Sequence, residues 1–238
     1  VLQLLAYQER VMGMNQIRVG LVGCGRVASV SHVPCYRSIK GVKLLAVYDK
    51  DTKRAKAFAA RHKIPTISSS LDELLSVEGI DLIDVCTPGF SHFGITCLAI
   101  QHGFNVLVEK PAALRSKEIE TIEYLSKVHG VSVCVAQNMR MAMPVLRIKR
   151  MLDAKQLGRP REVISSYCGL REHSVHPRWM RSYNSDLQAV LFELAIHVVD
   201  LQTFLCGPHV SIDAVRLRAD KALPQMLSLQ SLVTYGND

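Results

Sequence analysis

The chain has 238 residues, is 48% hydrophobic and carries a formal net charge of +8. That length and apolar fraction fit one large domain or two smaller ones. No apolar run is long enough to span a membrane, and basic residues spread without a long block argue against nucleic-acid binding and suit an anionic small substrate.

Met14 is a candidate start, which would leave residues 1–13 as an extension, and residues 1–7 lack the basic start and small-residue cleavage site of a signal peptide. Ile17-Arg18-Val19-Gly20-Leu21-Val22 is a predicted strand that runs into glycines, followed by a helix from about Arg26 to Ser38. Lys43–Tyr48 is a second strand, Thr52–His62 a helix and Pro65–Ile67 a short third strand. Ser70 with Glu73 three residues later is a capping-box signature for the next helix. Asp81–Cys86 is the fourth strand. Ser91 is expected to cap a helix that ends at Gly103. Residues 105–108 form the fifth strand, Ser116–His129 a helix stopped at Gly130, and Ser132–Ala136 the sixth strand. Strands alternating with helices in this way predict a doubly wound, parallel α/β sheet of Rossmann type with right-handed crossovers.

The pattern changes after Gln137. A helix is expected over 144–154, a turn at Gly158-Arg159-Pro160, a strand over 162–168, a basic loop over 169–186, a helix over 189–206 and strands over 210–217 and 226–235. The two domains are expected over 14–137 and 138–238, the second an α+β domain with its own sheet. The chain ends on Gly236-Asn237-Asp238, turn residues with no strand after them, so that sheet is expected to be incomplete.

Gly23-Cys24-Gly25-Arg26-Val27-Ala28 is a G-x-G-x-x-A pattern between a strand and a helix, the context in which it signals dinucleotide binding. Gly23 permits the tight turn, Gly25 lets the backbone approach a pyrophosphate, and Ala28 allows close helix–strand packing. The helix start, with Arg26 and Val27, offers N–H groups to the phosphates. Asp49 ends the second strand about twenty residues on, where a carboxylate can bind the ribose 2′-OH. This favours NAD, while Lys50, Lys53 and Arg54 could hold the 2′-phosphate of NADP. The alternative for Asp49-Lys50-Asp51 is a helix cap.

Lys110, in Glu109-Lys110-Pro111, follows the fifth strand at the edge where open α/β sheets bind ligands. Losing hydride from an alcohol carbon requires a proton to leave its oxygen, and a lysine beside a nicotinamide can accept or share that proton. Glu109 is expected to pair with a cation or hold the loop. Thr87 and Pro88 would line the crevice, with His92 a helix-terminus residue beside them. His197, one turn after Glu193 and near Asp200, is either a catalytic base or a buried polar histidine. The basic loop offers Trp179 and Arg181 to an anionic substrate, and Arg140 either lies near the cleft or forms an interdomain salt bridge. His173 and His176 lack a nearby ligand set, so no metal site is expected. Seven cysteines, none in a CxxC pair, suit free thiols in a reducing compartment and hence a cytoplasmic location.

Gly23-x-Gly25-x-x-Ala28, Thr87-Pro88 with His92, Glu109-Lys110-Pro111 and the pair Glu193 and His197 occur in an order that resembles the glucose-fructose oxidoreductase / inositol dehydrogenase / MocA family (GFO/IDH/MocA). The resemblance implies an NAD(P)-dependent oxidoreductase acting on sugars, polyols or sugar nucleotides, a second domain built on an open antiparallel sheet, a homo-oligomer, and catalytic roles for Lys110, His197 and Glu193. Where the family commonly has Asp, Glu193 is a departure that keeps the carboxylate and lengthens its reach. A second reading is a nucleotide-binding protein without turnover.

Overall fold

The computed structural model describes residues 16–158, 163, 191–219 and 227–235. Two compact units divide between Ala136 and Gln137.

The first unit is built on six strands: β1 (Ile17–Val22), β2 (Val42–Tyr48), β3 (Thr66–Ile67), β4 (Leu82–Val85), β5 (Asn105–Val108) and β6 (Val133–Val135). Every neighbouring pair is parallel, and the order across the sheet is β3-β2-β1-β4-β5-β6. The order reverses between β1 and β4, which places the ligand crevice of such a sheet beyond their carboxyl ends. Five helices connect the strands: α1 (Val33–Ser38, preceded by a π turn at Ala28–His32), α2 (Thr52–His62), α3 (Leu71–Leu75), α4 (His92–Gln101) and α5 (Ser116–His129).

Alternation along the strands sends side chains to two separate apolar layers. Val22, Ala46, Ile83 and Val85 join Leu74, Ile100 and Ile122 in one, while Leu21, Val47 and Cys86 join Ala28, Val33 and Phe58 in the other. Burying such a side chain fully is worth about 1.5–3 kcal/mol, so the fully buried Leu21, Ile83, Val85 and Val108 anchor the central strands.

Local signals fix the helix ends. Asp51 is the N-cap of α2, its side chain accepting from the N–H groups of Lys53 and Arg54. Ser70 Oγ accepts the Glu73 N–H at 3.0 Å, as its capping box requires, but the return arm differs: Glu73 bonds the N–H and hydroxyl of Ser69. Gly130 stops α5 in a left-handed conformation, φ 65°. Two expectations need correction. Ser91 holds the N-cap position of α4 without capping it; its hydroxyl is spent on Thr87 Oγ1 and Pro88 O, at the end of a 3₁₀ turn over Gly89–Ser91. The helix over 26–38 is not regular either. Val33 N–H donates to Ala28 O, five residues back, because Pro34 has no N–H and its ring excludes the carbonyl four residues earlier; the widened π turn absorbs the conflict.

In the second unit the described residues form α6 (Met143–Asp153), α7 (Ile196–Cys206, preceded by a π turn at Leu191–Ala195) and an antiparallel pair, β7 (His209–Ala219) with β8 (Leu227–Tyr235). The strand expected over 162–168, the basic loop, and with it Trp179 and Arg181, lie outside the described residues. No described helix is long and apolar enough to cross a membrane.

Candidate functional site

The glycine turn follows β1 directly. Gly23 has φ +98°, and a Cβ there would sit 2.8 Å from the carbonyl carbon and oxygen of Cys86 and 2.9 Å from Thr87 N. Any side chain would push β1 off the end of β4, so glycine is required by the protein's own packing. Gly25 differs, since a Cβ there would meet nothing within 4 Å. Its lack of a side chain leaves space at the mouth of the crevice, as an approaching pyrophosphate needs. Ala28 is fully buried against the sheet, while Arg26 and Val27 face solvent at the helix start.

Asp49 is buried at the end of β2. One carboxylate oxygen accepts the Cys24 N–H at 2.9 Å, the other accepts the Asp51 N–H at 2.9 Å, and Arg54 lies 3.5 Å away. Asp49 therefore braces the glycine turn, and Asp51 does the helix capping. Each oxygen of Asp49 keeps a second lone pair for a ribose hydroxyl. Burial and then the Asp49 charge push the Cys24 thiol up to about 12, so it stays protonated.

Thr87 and Pro88 follow β4, and Glu109, Lys110 and Pro111 follow β5, with a cis bond between Lys110 and Pro111. His92 ties these two loops together. Its ring is 1% exposed, with Nδ1 2.7 Å from Pro111 O and Nε2 2.6 Å from Thr87 O. Both ring nitrogens face backbone carbonyls, so His92 bears on the crevice through the loops it holds.

Beneath Lys110 lies a polar cluster that the sequence reading did not anticipate. Asp84, on β4, is fully buried and points toward α1. A carboxylate so placed must be paired. His32 Nδ1 lies 2.8 Å from its Oδ2, the Tyr36 hydroxyl donates to the same oxygen at 2.9 Å, and Cys86 Sγ lies 3.5 Å from Oδ1. The other His32 nitrogen lies 2.9 Å from Glu109 Oε1, and Glu109 Oε2 accepts the Lys110 N–H at 3.1 Å. Burial alone would lower the His32 pKa, but hydrogen bonds to Asp84 and Glu109 and their charges raise it to about 10. Burial would raise Glu109, yet His32 and then Lys110 hold it below the usual carboxylate range. His32 is therefore an imidazolium between two carboxylates at neutral pH. Burial and Asp84 raise the Tyr36 hydroxyl and the Cys86 thiol, which both remain neutral. His32, Asp84 and Cys86 have ligand-type atoms within 4.8 Å of one another, but those atoms are already engaged in these contacts.

In the second unit Glu193 lies in the π turn and His197 in the first turn of α7. Arg140 lies in a 3₁₀ turn over Asn138–Met141 and forks onto Asp200, with Nε donating at 2.7 Å and Nη2 to the other oxygen; its guanidinium sits 5.2 Å from the centre of the Phe204 ring. Of the two expectations for Arg140, the interdomain salt bridge is corrected. Its fork is committed to Asp200, and both residues belong to the same unit, so the pair is not an interdomain bridge.

Comparison with known proteins adds three findings. Residues 17–137 match the model of an oxidoreductase family with an NAD-binding Rossmann fold, and residues 145–235 match the GFO/IDH/MocA C-terminal domain. The chain is 29% identical over 225 residues to inositol 2-dehydrogenase 4 of Saccharopolyspora erythraea, covering 94% of this chain and 64% of that protein. Among solved structures, it resembles a dehydrogenase from Chromobacterium violaceum (TM-score 0.75, 23% identity, 93% of this chain and 63% of that one) and GenD2 from gentamicin A biosynthesis in complex with NAD (TM-score 0.74, 22% identity, 93% and 63%). The chain thus spans less than two thirds of the length of these relatives.

Proposed function

The chain belongs to the GFO/IDH/MocA oxidoreductase family, and on that premise we propose that it transfers hydride between a nicotinamide dinucleotide and the carbinol or carbonyl carbon of a sugar, polyol or sugar nucleotide. The observation that carries the reading is the glycine turn: Gly23 is required by packing against Cys86, whereas Gly25 opens onto free space at the switch point of the sheet.

NAD, when bound, supplies the hydride acceptor for oxidation of an alcohol. Gly23, Gly25 and Ala28 with the helix start at Arg26 and Val27 would hold the pyrophosphate, and Asp49 would accept from the ribose hydroxyls. Arg54, beside Asp49 and half exposed, is the residue that would meet the 2′-phosphate of NADP. Thr87, Pro88 and Glu109, in the loops after β4 and β5, would hold the nicotinamide end. Lys110 holds the substrate oxygen and shares its proton as the C–H bond breaks. The family resemblance supports His197 as a base with Glu193 as its carboxylate partner, and the cationic composition around Trp179 and Arg181 supports an anionic substrate. Cysteine usage supports a reducing, cytoplasmic setting, and the family resemblance supports a homo-oligomer.

The test is Lys110→Ala. NADH formation over a panel of sugars, polyols and nucleotide sugars should fall by about 100-fold or more, while NAD affinity by calorimetry stays within about threefold. Unchanged turnover in the variant would overturn the assignment of Lys110.

A further inference from the structure

We propose that His32 is a positioning residue for Lys110, its ring clamping Glu109 to the buried Asp84 and so fixing the backbone and the charge environment from which Lys110 acts. The inference deepens the proposed function and rests on Lys110 being the proton-handling group.

Three observations support it. The linkage is continuous, since Glu109 receives His32 Nε2 on one oxygen and the Lys110 N–H on the other. It is anchored in the core, because the far side of the ring meets Asp84, which is fully buried on the central strand β4 and braced by Tyr36. It is also built by a local irregularity: His32 closes the π turn that Pro34 induces, and its ring faces the sheet from that point. A π turn inside a helix often marks a functional position. The groups around the ring are Tyr36 on its own helix, Asp84 and Cys86 at β4, and Glu109 and Lys110 after β5.

The charge count gives a direction. The imidazolium neutralises one of two buried carboxylates. Without it, Glu109 carries an uncompensated negative charge next to Lys110, which favours the charged ammonium and makes its proton harder to release. Glutamine can donate through its NH₂ group but cannot donate from opposite sides to both carboxylates, so His32→Gln breaks the bridge while keeping a polar side chain.

The experiment reads Lys110 itself and needs no substrate. The wild-type protein and His32→Gln are treated with acetic anhydride across a pH series, and acetylation of each lysine is followed by peptide mass spectrometry. The Lys110 profile should move to higher pH by about half a unit or more in His32→Gln, while the exposed Lys56 and Lys117 stay fixed. Glu109→Gln removes the carboxylate and should move the Lys110 profile the opposite way; it serves alone if His32→Gln fails to fold by circular dichroism. In the double variant the two shifts should be non-additive, because each acts through the same contact. A Lys110 profile unmoved in either folded variant overturns the proposal. Failure of Lys110→Ala to lower turnover would instead sink the catalytic reading while leaving this coupling intact.

Discussion

The buried imidazolium makes stability depend on pH in a window where ordinary carboxylates are silent. His32 is raised from 6.5 to about 10 in the folded chain, so its contribution is fully present below pH 6.5 and is lost as the pH climbs toward 10. Glu109 is lowered, so its contribution is present above its ordinary value of 4.5 and is lost in acid. The cluster therefore stabilises most between about pH 4.5 and 6.5. Integrating the His32 shift from pH 6 to pH 9 gives a loss of about 3 kcal/mol. The ring is 8% exposed, so solvent screening reduces this little. Stopping at pH 9 matters because the Cys24 and Cys86 thiols, also raised by burial, begin to oppose folding above their ordinary value of 9.0. The assay is urea unfolding followed by circular dichroism at pH 6 and pH 9. With a slope of about 1–3 kcal/mol per molar urea, the wild-type midpoint should fall by about 1–3 M between the two, and most of that fall should vanish in His32→Gln. An equal fall in wild type and variant, or a wild-type midpoint that rises with pH, would refute the reasoning.

Two further outcomes follow from local geometry. Gly23→Ala should destabilise the first unit by several kcal/mol or prevent folding, because the φ is unfavourable and the methyl meets backbone at 2.8 Å; a thermal midpoint within a degree or two of wild type would contradict that. Asp51→Ala should cost about 1 kcal/mol by removing the α2 cap, whereas Asp49→Ala should cost more, since it frees the buried Cys24 N–H; equal losses on urea unfolding would show that Asp49 does not brace the turn.

Much of the first unit was legible because its determinants are local. The apolar runs at 17–22 and 105–108, the glycine turn between strand and helix, and the punctuation by Ser70 and Gly130 each specify a neighbour a few residues away. Lys110 was readable for the same reason: a strand, then Glu-Lys-Pro. Asp49 was half legible. Its position at the strand end was plain, but its bond to Cys24 joins residues that meet only once β1 and β2 pair. The His32 cluster was not read at all, because its partners lie 52 and 77 residues away. Two signals were nonetheless present: a carboxylate at Asp84 inside an apolar strand demands a partner, and Pro34 inside a helical stretch demands an irregularity. The π turn at Leu191–Ala195 was not legible either, because the sequence there carries no comparable mark such as a proline.

The central claim, that the glycine turn holds a dinucleotide, is tested most directly by titrating NADH into the wild-type chain and into Gly25→Val. A Cβ at Gly25 meets nothing of the protein within 4 Å, so the variant is expected to fold, with its melting temperature as the control. The expected result is a micromolar dissociation constant for the wild type and a loss of about tenfold or more in the variant, or about 1.4 kcal/mol. No binding to the wild type, or equal binding to both, would contradict it.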